Sequence, residues 1–102
     1  MTETVFKLAD GYKLVVINTT GPSSYSSGGF TYAVKSLRKV EKVVAASASG
    51  GYKVDAADIS VSGNTLTIKI YYYDYDAASD GAAVEASGDL SGVNITILVI
   101  GV

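Results

Sequence analysis

Apolar and polar side chains alternate one by one between Asp58 and Asp76, which predicts two β-strands joined by a tight turn. The turn falls at Gly63-Asn64, because glycine adopts without strain the positive φ that the first position of such a turn requires. The predicted cross-strand pairs are Ser62 with Thr65, Val61 with Leu66, Ser60 with Thr67, Ile59 with Ile68 and Asp58 with Lys69. The same register places four apolar residues on one face, namely Ile59, Val61, Leu66 and Ile68. Turn chemistry and alternation therefore predict one pairing.

The second strand of this hairpin continues into a run of tyrosines. By alternation, Tyr72 is predicted to point inward, while Tyr71, Tyr73 and Tyr75 point outward. An outward row of tyrosines has two explanations. It is either ordinary cross-strand packing on a sheet surface or a contact surface, because tyrosine combines a large apolar ring with a polar tip. Tyr71, Tyr73 and Tyr75 are therefore candidate interface residues.

The rest of the chain is typical of short strands. They are predicted at Val5–Leu8, Tyr12–Thr20, Phe30–Lys35, Tyr52–Asp55, Ala82–Ala86 and Val93–Val102. Residues 36–49 fit a helix or a strand, and we favour a strand because the neighbouring segments are all strands. A change of parity after residue 54 predicts a β-bulge or a break within 55–58. The Ser- and Gly-rich segment 21–29 predicts a mobile surface loop, in which Tyr25 is expected to lie on the surface.

The last strand is apolar on both faces from Ile97 onward. Such a strand lies in the middle of a sheet or is covered by a partner, so the sheet is not expected to be a simple meander. Seven or eight short strands without a credible helix predict an all-β fold. We expect one domain over residues 1–102, either a small antiparallel β-sandwich of Greek-key or Ig-like type or a small barrel.

The composition removes several kinds of chemistry. The chain of 102 residues contains no cysteine, histidine or tryptophan. It therefore has no disulfide framework, no thiolate or imidazole metal ligand and no imidazole general base. No apolar run approaches the roughly 18 residues of a membrane span, and the first residues do not resemble a secretory signal. We expect no enzymatic activity, no cofactor and no membrane partner.

The charge is nearly balanced but unevenly distributed. The formal net charge of −2 argues against general nucleic-acid binding. Four cations form a basic segment: Lys35, Arg38, Lys39 and Lys42. Five acids form an acidic segment: Asp74, Asp76, Asp80, Glu85 and Asp89. The two segments are either ordinary solvated faces or the two halves of a head-to-tail contact between subunits.

The spacing of the acidic segment partly matches a calcium-binding loop. In the EF-hand template the position that requires glycine is occupied by Ser79, so this match fails. A looser calcium site built from Asp74, Asp76 and Asp80 remains an alternative.

From residue 36 onward the chain resembles the small β-rich structural proteins of tailed viruses of bacteria and archaea. The similar parts are Gly50-Gly51-Tyr52 after a valine-rich strand, the V-S-G-N-T-L-T-I hairpin and D-L-S-G-V before the last strand. The resemblance implies a virion role, such as capsid decoration, head completion or a tail component, with several copies of the chain and other virion proteins as partners. The resemblance does not identify any functional residue in this chain.

Two functional hypotheses follow. In the first, the chain is a non-enzymatic assembly subunit that self-associates, as its exposed tyrosines, its opposed basic and acidic segments and its doubly apolar last strand indicate. In the second, it is a binding module that presents Tyr71, Tyr73 and Tyr75 as a platform for a carbohydrate or a peptide.

Overall fold

The computed structural model describes residues 2–74 and 82–102. Within these ranges the chain is all-β, as predicted, although it forms ten strands instead of seven or eight. The strands are β1 (Thr2–Lys7), β2 (Lys13–Thr20), β3 (Phe30–Ala33), β4 (Val40–Ala48), β5 (Tyr52–Lys53), β6 (Ser60–Ser62), β7 (Thr65–Ile68), β8 (Tyr71–Asp74), β9 (Ala82–Glu85) and β10 (Asn94–Gly101). Two 3-10 turns, Ala9–Gly11 and Ala56–Asp58, connect neighbouring strands. The described part has no helix long and apolar enough to cross a membrane.

The strands form three antiparallel sheets. The four-stranded sheet has the order β1-β2-β10-β4, and the two smaller sheets have the orders β3-β7-β6 and β5-β8-β9. The molecule measures 50 × 23 × 21 Å. Because packed sheets lie about 10 Å apart, its two short dimensions leave room for two layers, as in a sandwich.

The hairpin register is confirmed at its turn. β6 and β7 pair Ser62 with Thr65, Val61 with Leu66 and Ser60 with Thr67. Gly63 has a φ of 61°, the positive value that the turn requires. The prediction fails beyond this point, because Asp58 lies in a 3-10 turn and cannot form the expected cross-strand pair with Lys69.

The predicted break in residues 55–58 is confirmed, and it takes the form of a 3-10 turn. The Asp55 side chain accepts a hydrogen bond of 3.3 Å from the backbone N–H of Ala57 and so caps this turn. Val61 shares its face with Leu66, as the register predicts, but 41% of this residue is exposed. β6 is a three-residue edge strand, and Val61 is only partly covered while Leu66 opposite is fully buried.

The last strand is central, as predicted. β10 lies between β2 and β4 and pairs with both. Residues 36–49 contain strand β4 and no helix, which also confirms the favoured interpretation. Gly101, at the end of β10, packs closely against the segment that precedes β4. A Cβ at this position would overlap the carbonyl oxygen of Lys39 and the Leu37 side chain.

One apolar core joins the sheets. The four-stranded sheet contributes its inner-face residues Val15, Ile17, Ile95, Ile97 and Val99. The smaller sheets and their connections contribute Tyr32, Val34, Leu66, Ile68 and Ile70, among others. Since the core covers only one face of the four-stranded sheet, the opposite face of this sheet is free to contact something else.

Candidate interaction surface

The outer face of the four-stranded sheet is unusually apolar. Along β10, the buried residues Ile97 and Val99 alternate with Leu98 and Ile100, which are half-buried. β2 shows the same pattern, with buried Val15 and Ile17 alternating with half-buried residues. The sequence predicts two apolar faces for the last strand, and the structure shows that the described part of the chain leaves one face of the sheet uncovered.

The strand registers give the layout of this face. One row across the sheet consists of Thr4, Val16, Leu98 and Ala45, and the next of Phe6, Leu14, Ile100 and Lys42. Leu8 and Tyr12 continue the apolar face beyond the ends of β1 and β2, where the Leu8 N–H donates a 2.8 Å hydrogen bond to the Tyr12 carbonyl. In the opposite direction lies a polar row of Thr2, Asn18, Thr96 and Ser47. The face is therefore divided into an apolar half and a hydroxyl- and amide-rich half.

We call the apolar half the outer patch. It comprises Phe6, Leu8, Tyr12, Leu14, Val16, Leu98 and Ile100. The exposed fractions are 51% for Phe6, 43% for Leu8 and 42% for Tyr12. Isolated exposed hydrophobic residues are common, but a contiguous group on a flat sheet face is typical of an interaction site.

Only part of the predicted tyrosine surface lies within the described residues. Tyr71 is half-buried between Lys53 and Glu85 on the neighbouring strands, so it does not project freely. Tyr75 lies outside the described residues, and Tyr73 lies on β8 opposite Ala83. The inward orientation expected for Tyr72 is wrong, because this residue is 36% exposed and its ring packs edge-on against Tyr52 at 6.5 Å.

The burial pattern of the tyrosines changes because the strand is interrupted at Lys69 and Ile70. β7 belongs to the β3-β7-β6 sheet, whereas β8 belongs to the small β5-β8-β9 sheet. Every second residue from Leu66 to Ile70 is therefore fully buried. This alternation of buried and half-buried positions does not continue to Tyr72.

The four cations of the basic segment lie between the end of β3 and the first residues of β4. Lys35 is exposed in the connection after β3, and its backbone N–H binds Glu3. The backbone N–H groups of Arg38 and Lys39 donate to the Val102 carbonyl, and the Lys39 ammonium lies 3.5 Å from Glu41. Lys42 lies on the outer face opposite Ile100. All four residues are exposed, and the interface role of this segment stays a prediction.

The acidic segment is described only in part. Asp76 and Asp80 lie outside the described residues, so the alternative calcium site with Asp74 stays a prediction. Asp89 accepts hydrogen bonds from the Ser91 hydroxyl and N–H, and these bonds lower its pKa. Within residues 2–74 and 82–102, no group of three or more acidic side chains converges as a metal site would require.

Two glutamates each anchor a tyrosine in the same way. Glu3 accepts hydrogen bonds from the Tyr32 hydroxyl at 2.6 Å and from the backbone N–H groups of Lys35 at 3.1 Å and Ser36 at 2.9 Å. Burial alone would raise the pKa of Glu3, but these bonds outweigh it and the pKa is lowered. Burial and the bond to Glu3 raise the pKa of Tyr32. This Glu3 clasp connects edge strand β1 to the segment after β3.

The second clasp holds the Ser- and Gly-rich loop. Glu85 accepts hydrogen bonds from the Tyr25 hydroxyl at 2.6 Å, the Ser27 hydroxyl at 3.1 Å and the Gly28 N–H at 3.1 Å. The bond from Tyr25 is the main cause of the lowered pKa of Glu85. Tyr25 is 4% exposed, so the expectation that it lies on the surface is wrong. No sequence signal connects it to a glutamate sixty positions away.

No known protein family, curated protein or solved structure matches this chain. The interpretation of the surface therefore rests on the arrangement of its residues.

Proposed function

We propose that this chain is a non-enzymatic structural assembly subunit that associates with further copies of itself through the outer patch. The observation that supports this most strongly is the contiguous apolar half of the outer sheet face, with Phe6, Leu8 and Tyr12 exposed at its end. An apolar sheet face of this kind is stable when a second layer covers it. A subunit that lacks this layer is therefore stabilised by association, which removes the apolar surface from water.

The size of the face fits such a contact. Eight-residue strands extend about 27 Å and four strands span about 19 Å, so the face covers about 500 Å². Two such faces would bury about 1,000 Å², close to the lower limit for a specific interface. Complete burial of a large apolar side chain contributes roughly 1.5–3 kcal/mol, so covering the exposed half of Phe6 contributes about 1 kcal/mol.

The polar half of the face would give the contact its specificity. The Thr96 hydroxyl donates a 2.9 Å hydrogen bond to Asn18 Oδ1, which orients the amide group on the surface. Hydroxyl and amide groups beside an apolar centre are typical of the polar rim of protein interfaces. A partner that covers the outer patch would meet this rim in one preferred orientation.

The virion is the setting that we propose for this assembly, as a decoration, head or tail component that also contacts other virion proteins. The support for this setting is the sequence resemblance of residues 36–102 to small β-rich structural proteins of tailed viruses. Mass spectrometry of purified particles from a virus that encodes the chain tests it: peptides of the chain should co-sediment with the particles. Their presence only in the soluble fraction would contradict the virion setting while leaving self-association open.

Light scattering after size exclusion tests the assembly itself. The wild-type chain should form a defined oligomer at micromolar concentration, and the double variant Phe6→Ser/Tyr12→Ser should shift toward the monomer. Both residues are more than 40% exposed, so their loss should leave the fold intact. Val61→Ser/Tyr72→Ser is the matched control, because these residues are similarly exposed but lie on the smaller sheets. A wild-type chain that stays monomeric at all concentrations would refute the proposal.

A second candidate function, a carbohydrate- or peptide-binding module, is favoured by one observation. Tyr52 packs edge-on against the exposed Tyr72 ring and lines a cavity of about 360 Å³. Lys53 and Asp55 also line this cavity, so an aromatic ring and charged groups occur together there. Because the chain has no tryptophan, tyrosine fluorescence can follow titration with oligosaccharides. A response that disappears in Tyr52→Ser but not in Tyr12→Ser would support the module.

A further inference from the structure

The two edges of the four-stranded sheet differ in their regularity. The ladder between β10 and β4 has two register irregularities, between Leu98 and Val99 and between Ile100 and Gly101. β1 instead pairs with β2 through six consecutive residue pairs without interruption. Bulges bend an edge strand and hinder further pairing, whereas a regular edge strand can accept another strand. Of these two edges, β1 is the one suited to strand addition.

The hydrogen-bond pattern identifies the backbone groups at the open edge. The Leu8 N–H bonds to the Tyr12 carbonyl, so Leu8 and Tyr12 form a hydrogen-bonded pair. Such pairs alternate along an antiparallel ladder, so the backbone groups of Thr4 and Phe6 also face β2. The N–H and C=O groups of Glu3, Val5 and Lys7 consequently point away from β2, toward the open edge.

We propose that a second copy of this chain adds its own β1 to this edge, antiparallel and related by a two-fold axis at Val5. The inference rests on the proposed function as a self-associating subunit and adds a second contact, at the sheet edge, to the one through the outer patch. In this register Val5 pairs with Val5 of the copy, and Glu3 pairs with Lys7 of the copy on each side of the axis. The two four-stranded sheets then form one continuous eight-stranded sheet.

Opposite charges favour the register with the axis at Val5 over the registers with the axis at Thr4 or Phe6. An axis at Thr4 would pair Glu3 with Val5, and an axis at Phe6 would pair Val5 with Lys7, so neither would join opposite charges. The axis at Val5 gives two Glu3–Lys7 pairs, and an opposite-charge cross-strand pair contributes roughly 0.2–1 kcal/mol. Within the described part of the chain, Lys7 is exposed and makes no ion pair.

The surroundings of Glu3 leave room for the lysine. A cavity of about 190 Å³ lies between β1 and the segment after β3 and is lined by Thr2, Glu3, Tyr32, Lys35 and Ser36. This volume is many times the roughly 10–15 Å³ that one water molecule needs. The Glu3 carboxylate accepts hydrogen bonds from Tyr32, Lys35 and Ser36, and its negative charge attracts an ammonium group that enters this cavity.

The same register also extends the outer patch. On the outer face it places Phe6 opposite Thr4 of the copy, so the patches of the two subunits meet across the axis. Edge pairing would therefore produce a wider apolar face than one subunit has. The dimer and the face-to-face contact are compatible, because the first uses backbone groups at the edge and the second uses side chains on the face.

Disulfide trapping tests the register, since the chain contains no cysteine. A hydrogen-bonded antiparallel pair has a Cα–Cα distance of about 5.5 Å, which suits a disulfide. Val5→Cys should therefore form a covalent dimer on mild oxidation. Pairing raises the effective thiol concentration from about micromolar to about millimolar, so the reaction should be roughly a thousandfold faster than in Val61→Cys. Val5 and Val61 are matched, with exposed fractions of 40% and 41%.

A charge variant provides the second arm. Lys7→Glu in the Val5→Cys background would place two carboxylates opposite each other and should abolish rapid trapping. Lys13→Glu, a charge reversal on the neighbouring strand, is the control and should leave trapping unchanged. Rapid trapping in Thr4→Cys or Phe6→Cys, with none in Val5→Cys, would overturn the proposed register.

Comparison with light scattering separates the two proposals. An oligomer that gives no Val5→Cys trapping and no concentration-dependent protection of the Glu3, Val5 and Lys7 amides from hydrogen exchange would refute the edge dimer alone. A chain that is monomeric and also untrapped would refute both the edge dimer and the assembly function. The exchange measurement uses the wild-type chain, so it decides the question even if a cysteine variant folds poorly.

Discussion

The Tyr25 hydroxyl donates a hydrogen bond of 2.6 Å to Glu85 and accepts one of 3.0 Å from the backbone N–H of Ile70. One side chain thereby joins the 21–29 loop to β9 and to the residue that precedes β8. Glu3 and Tyr32 repeat the arrangement at β1. In both places a buried tyrosine donates a hydrogen bond to a glutamate carboxylate. The bond attaches a loop or an edge strand to the core.

Removal of the Tyr25 hydroxyl should destabilise the fold. Tyr25→Phe leaves the ring but deprives the buried Ile70 N–H of its partner, which costs roughly 1–3 kcal/mol. Urea unfolding followed by circular dichroism measures the effect. Tyr72→Phe is the control, because this residue is exposed and its hydroxyl has no hydrogen bond to the described residues, so a change within about 0.5 kcal/mol is expected. Equal effects of the two substitutions would contradict the role of the clasp.

Alkaline pH should weaken the same contact. Burial and the bond to Glu85 raise the pKa of Tyr25 to about 12, compared with about 10 in the unfolded chain. The folded state therefore holds this proton more tightly. Its contribution to stability is complete below about pH 10 and is lost as the pH rises toward about 12.

Urea midpoints measured from about pH 8 to about pH 11.5 check this prediction. The midpoint should fall in the alkaline half of the range, and part of this fall should be absent in Tyr25→Phe. A flat profile in the wild-type chain would show that the tyrosine protons do not contribute to stability.

Acid should loosen both clasps through the glutamates. The hydrogen bonds that they accept lower the pKa values of Glu3 and Glu85 below the ordinary value of 4.5. A carboxylate with a lowered pKa stabilises the fold above about pH 4.5, and this contribution is lost as the pH falls further. The free energy of unfolding should therefore decrease below about pH 5.

Glu3→Gln should reduce the decrease in the free energy of unfolding at acid pH, because one of the two titrating glutamates is then absent. Glu41→Gln is the control, since its carboxylate meets only the exposed Lys39 ammonium and contributes about 0–1 kcal/mol. If the acid profiles of Glu3→Gln and the wild-type chain coincide, the Glu3 clasp does not cause the pH dependence.

Gly101→Ala should destabilise the end of β10. The added methyl group would overlap the Lys39 carbonyl and the Leu37 side chain, and overpacking of this kind costs roughly 1–3 kcal/mol. Gly92→Ala is the matched control, because a Cβ at that position meets no atom within 4 Å. Thermal unfolding of both variants measures the difference, and an unchanged melting temperature in Gly101→Ala would contradict the close packing.

Local features of the fold were predictable from the sequence. The turn at Gly63-Asn64 determines its own register, because two residues and the alternation beside them decide which strand positions pair. The central position of β10 was also predictable, since Ile97 to Ile100 are apolar on both faces. These conclusions depend on residues within about ten positions of each other.

Features that depend on distant partners were not predictable. The burial of Tyr25 requires Glu85, and the exposure of Tyr72 requires the strand interruption at Lys69 and Ile70. The alternation in β2 and β10 showed two apolar faces but not which one the core covers. The outer patch around Phe6 was therefore not predicted, and its exposure follows from the sheet order β1-β2-β10-β4.

The insertion of β10 between β2 and β4 also has a consequence for synthesis on the ribosome. Strands β2 and β4 do not pair with each other, so the four-stranded sheet cannot close before residues 94–101 have emerged. Contacts over such long sequence separations slow folding. The apolar strand Lys13–Thr20 therefore lacks its final neighbour until residues 94–101 have been synthesised, and its apolar side chains can form non-native contacts during that interval.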